Sequence, residues 1–243
     1  MLQRFGLYEF FANLIPGLAF MSALGWLAQF FGYGRIPPIS GSISDASVLV
    51  AWAYIVGLLI QGVAQNVVER AILAATGGFP SWRWLIDDGE GFTPEHRERL
   101  KNAIKEYFGE PVEPRISKDS DRKGALQVLR QRYQEVFYQC FNLVEQKKLS
   151  DRPLAFNAHY GLFRALLTFT LMLLLAFGSA LAFKWGQVQK NQATGLFEGI
   201  LALLVAAAIV SYFSMKKRAE DFARSVYDLF YTFYRQEVMT KTR

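Results

Sequence analysis

Residues 46–70 read ASVLVAWAYIVGLLIQGVAQNVVER, with no charge between Asp45 and Glu69. A helix rises 1.5 Å per residue, and roughly 17–25 apolar residues cross a hydrocarbon layer, so this stretch reads as a transmembrane helix. Three further stretches are free of charge: Phe10–Gly34, Ala165–Phe183 and Gly199–Met215. The expected fold is therefore all-α, a polytopic membrane protein with four transmembrane helices. Its spans fall at about 10–31, 46–68, 163–183 and 198–215. A helical cytoplasmic insert lies between helices two and three, and a helical extension follows the fourth. The divisions are a first transmembrane hairpin (1–76), the insert (77–152), a second hairpin (153–215) and the C-terminal helix (216–243).

The composition of 52% hydrophobic and 20% charged residues averages two unlike parts, apolar spans and a charged remainder. Only Arg4 precedes the first span, and no small-x-small cleavage site follows it, so a removable signal peptide is not expected. Orientation follows from the basic residues. The loops 32–45 and 184–198 hold only Arg35, Lys184 and Lys190, whereas 69–158 holds fifteen bases and the tail after Met215 holds seven. Lys and Arg concentrate on the cytoplasmic side, which places the N-terminus, insert and C-terminus inside, in a bacterial inner membrane.

A pI near 9.4 invites a nucleic-acid partner, but the insert balances its fifteen bases with fourteen acids. Nucleic-acid binding is not expected. The excess lies at Lys216, Lys217 and Arg218, directly after the fourth span, where anionic lipid is the ordinary counterpart.

Within the insert, Gly77 and Gly78 read as a helix stop. Trp82, Arg83 and Trp84 suit either the headgroup layer or a packing anchor. Asp87–Gly91 is acidic and turn-rich but lacks the ligand spacing of an EF-hand. Thr93, Pro94 and Glu95 have the chemistry of a helix start, and Gly109 that of its end. From Gly124, the residues Leu126, Leu129, Tyr133, Val136, Phe137, Cys140, Phe141 and Val144 form one apolar helical stripe, with Cys140 in a packing role. Beyond the fourth span a second stripe, Phe222, Val226, Leu229, Phe230, Phe233 and Tyr234, is a candidate contact for a partner or a second copy. The insert or the bilayer surface would also cover it, and packing against protein is the expectation.

No Gly-x-Ser-x-Gly elbow and no P-loop is present. One cysteine and two distant histidines, His96 and His159, do not make a zinc site. No catalytic residue, cofactor or metal is expected. The notable polar groups lie in span two: Gln61, Gln65 and Glu69, spaced by four, with Asn66 beside them. Three roles fit them: interhelical hydrogen bonding, lining of an aqueous path, or a substrate or coupling-ion site. In span one, Asn13, Pro16 and Gly17 predict a helix kink.

This layout resembles that of small four-pass bacterial subunits encoded with cytosolic effectors, among them membrane components of antiphage systems such as Kiwa. The likeness is architectural and carries over no residue roles. The expected function is that of an oligomeric, non-enzymatic membrane protein, a regulated pore or channel subunit coupled to a cytoplasmic protein partner. The alternatives are a scaffold or sensor that docks a soluble effector, including one in antiviral defence, a small-solute transporter, and a lipid enzyme using Glu69, His159 or Asp88.

Overall fold

The computed structural model describes residues 2–32, 43–76, 78–79, 81, 84–85, 92–112, 122–183 and 194–241. Residues 33–42 and 184–193, Gly77, Trp82, Arg83 and the acidic stretch at Asp87–Gly91 lie outside the described residues. Among those described the chain is all-helical. The helices are α1 (Leu2–Phe30), α2 (Ile43–Val63), a π-wound turn (Ala64–Val68), α3 (Glu69–Thr76), α4 (Pro94–Phe108), α5 (Arg122–Gln146), α6 (Arg152–Phe183) and α7 (Thr194–Lys241). Among the described residues, three continuous helical stretches are long and apolar enough to cross a membrane: Asp45–Thr76, Arg152–Phe183 and Gly195–Val238. The sequence counted α1 as a fourth, and part of α1 lies outside the residues whose side chains are described.

The chain forms two compact units, residues 1–72 with 158–216 and residues 73–157 with 217–243. In the first, α1 runs without interruption through Pro16 and meets α2 backbone to backbone. A Cβ on Gly17 would lie 1.7 Å from the carbonyl oxygen of Ala53, and one on Gly57 would lie 1.9 Å from that of Asn13. Neither helix tolerates a side chain at this crossing, the arrangement by which small residues four apart bring membrane helices close. Nearer its C-terminus α1 joins an aromatic cluster. Leu27 packs with Leu173 and Phe177 of α6 and Phe197 of α7. The Trp26 ring stacks on Phe177 at 5.9 Å, and Phe30 lies 4.9 Å from Phe197. Away from these seams the surface is apolar, with Leu175 75%, Leu203 70% and Phe213 62% exposed. In water such exposure forfeits about 25 cal/mol per Å² of apolar surface, whereas lipid tails cover it without that loss.

The second unit has a core of its own. Leu85, the α4 residues Leu100 and Ile104, the α5 residues Val136, Cys140 and Val144, and the α7 residues Ala223, Val226, Tyr227 and Phe230 are buried together. The ring of Phe108 stacks on Phe230 at 5.6 Å, and Phe137 meets Phe222 edge-on at 5.5 Å. The buried hydroxyl of Tyr227 donates to the carbonyl of Ser81 at 3.0 Å. The start of α4 has the expected cap, with Thr93 Oγ1 accepting from the His96 amide, and Gly109 closes the helix at φ 73°. From Leu129 onward the α5 stripe faces this core, as its spacing predicts. Phe222, Val226 and Phe230 are buried, and Leu229 and Tyr234 pack at the rim. Phe233 meets the Tyr107 ring at 6.0 Å. The stripe left open to a partner or a second copy is thus covered by the insert of the same chain.

Candidate functional site

In the first unit the polar residues of α2 meet α6. The Tyr160 hydroxyl donates to Glu69 Oε1 at 2.8 Å, and Arg164 Nη1 donates to the other carboxylate oxygen. Arg164 Nη2 reaches Gln61 Oε1 at 3.4 Å, and the guanidinium lies 5.6 Å from the centre of the Tyr160 ring. The pair is sheltered, with side-chain exposures of 11% for Arg164 and 19% for Glu69. Two ions brought out of water are held best when their remaining lone pairs and protons are satisfied, and here a phenol and an amide supply partners, while the buried Arg164 Nε has none among the described residues. Both oxygens of Glu69 are engaged, so the cluster is built to hold α2 against α6.

The sequence named Gln61, Gln65, Asn66 and Glu69 as one face. The structure brings Gln61 and Glu69 to one guanidinium and leaves Gln65 and Asn66 exposed. Asn66 Nδ2 donates back to the Gly62 carbonyl at 2.9 Å. Gln65 has no hydrogen-bond partner among the described residues. The cause is the π-wound turn, which holds one residue more than an α turn across the same arc. Sequence spacing had not singled out Tyr160 and Arg164 as partners of Glu69. The available signal was a matched pair of opposite charges, Glu69 and Arg164, each at the border of a charge-free stretch.

The kink residues of α1 have a different setting. Asn13, Pro16 and Gly17 are buried at or beside the crossing with α2, where Gly17 is required by the contact itself. In the second unit the structure buries Arg97. Its Nε donates to the Trp84 carbonyl at 3.2 Å and its Nη2 to that of Phe92 at 3.3 Å, fixing the chain that enters α4. His96 is half-buried between the rings of Phe92 and Tyr231, 3.9 Å from Asp228. Burial pushes the Cys140 thiol well above its ordinary value, so it stays protonated and unreactive. No group of three or more His, Cys, Asp or Glu residues is gathered as for a metal among the described residues.

No family model, no curated protein and no solved structure matches this chain.

Proposed function

We propose that this chain is an oligomeric, non-enzymatic membrane protein with four spans, α1 being the fourth, in a bacterial inner membrane. Its N-terminus, the insert and the C-terminal helix face the cytoplasm, and it acts as a regulated pore or channel subunit. One observation carries the pore reading. Between Val48 and Val67 the exposed residues are apolar except Gln65 and Asn66, while Gln61 and Glu69 are tied up by Arg164. Amides in that position call for water or a neighbouring polar group, and a path shared between copies supplies both. Four spans alone enclose too little space for a wide path.

Ion flux through liposomes containing the purified protein tests this reading. Gln65→Leu with Asn66→Leu is expected to change the flux, and Gln61→Leu to act on stability rather than on flux. Absence of flux with and without cytosolic extract overturns the pore. A scaffold is the second reading, favoured by the closed core of the second unit, whose polar exterior suits docking of a soluble protein.

A further inference from the structure

We infer that the π-wound turn of α2 and the Glu69–Arg164 pair form one conformational device, in which pairing holds the wide winding and loss of the pair lets the segment rewind as α-helix. The inference stands whether the chain conducts or only scaffolds.

The geometry is that of helical phase. In an α-helix of 3.6 residues per turn, eight steps from Gln61 place Glu69 about 80° further round the axis. Ile60 and Ala64 mark the buried side of α2. On a plain α-helix Glu69 would swing away from that side and lose Arg164. A π turn takes up one additional residue, so eight steps cover the arc of seven, and the offset shrinks to about 20°. Gln61 and Glu69 then face the same guanidinium, as the contacts to Nη2 and Nη1 show.

The wide turn weakens the backbone ladder, and Asn66 compensates by placing its side-chain amide on the Gly62 carbonyl. The same number of residues therefore fits two windings, of which only the wide one allows the ion pair. Rewinding would turn every residue after Val68 by about 100°, one residue's worth of phase. Helix α3 continues from the π turn without a break as far as Thr76, so the turn is passed along its length.

The test reads phase directly. Single cysteines are placed at Ala71, Ile72, Leu73, Ala74 and Ala75 of the full-length chain in nanodiscs, in a Cys140→Ser background, and alkylation rates are measured with a water-soluble maleimide. In the unaltered winding, positions 71, 74 and 75 are exposed, and 72 and 73 are half-buried. The expected profile is therefore fast, slow, slow, fast, fast. Arg164→Met should move it by one position, and Arg164→Lys should leave it in place. Deletion of Val67 removes the additional residue while keeping the phase, so the deletion alone should keep the original profile, and combined with Arg164→Met it should restore it. An unmoved profile in Arg164→Met overturns the inference, and so does a moved profile in the deletion. Should Arg164→Met not fold, the deletion decides by itself.

Discussion

Gly57 and Gly62 sit five residues apart on one helix, yet their environments differ completely. Gly57→Ala forces a methyl against the Asn13 carbonyl, so α1 and α2 must separate, and a cost of about 1–3 kcal/mol is expected. Gly62→Ala meets nothing within 4 Å and gains helix propensity, so it is expected to be neutral or to stabilise by up to about 1 kcal/mol. Thermal unfolding in detergent, compared for the two variants, checks the opposite signs. Cys140 gives a pH prediction. The unfolded chain loses its thiol proton near the ordinary value of 9.0, whereas burial keeps the native thiol protonated above it. Its contribution is thus complete below pH 9 and falls as pH rises towards the raised native value, by about 1.4 kcal/mol per unit. Urea unfolding of wild type and Cys140→Ala between pH 8 and 11 should differ by that slope.

Local signals were the ones most legible in the sequence. Helix α4 could be read from Thr93, Pro94 and Gly109 because each acts on backbone groups within one turn of itself. Thr93→Ala should cost the second unit about 1 kcal/mol, measurable as a lower urea midpoint with an unchanged slope. The end of α5 was less legible. No glycine marks it, and Lys148 takes the left-handed conformation at φ 49° while the Leu149 amide bonds back to Val144. The π turn left no trace in the spacing, since 61, 65 and 69 also suit a plain α-helix. Only the position of Arg164 on another helix selects the wide winding. The role of Arg97 was not legible for a related reason. Its acceptors are main-chain carbonyls of Trp84 and Phe92, which no residue type announces.

For the whole molecule, helix α7 is decisive, because its 48 residues contribute Phe197 to one core and Phe222, Ala223, Val226, Tyr227 and Phe230 to the other. Removing residues 217–243 should leave Leu100, Ile104, Val136 and Cys140 uncovered. Limited proteolysis of the truncated protein in detergent should then cleave rapidly between residues 73 and 157 while sparing 158–216, and an unchanged digestion pattern would count against this division of the core. The arrangement also sets an order of events during synthesis. The segment 73–157 leaves the ribosome well before residues 222–230, and the whole of α6 and the first half of α7 must be made in between. Its half-built core waits through all of that elongation with apolar surface bare, which makes this interval the time when a chaperone is most needed.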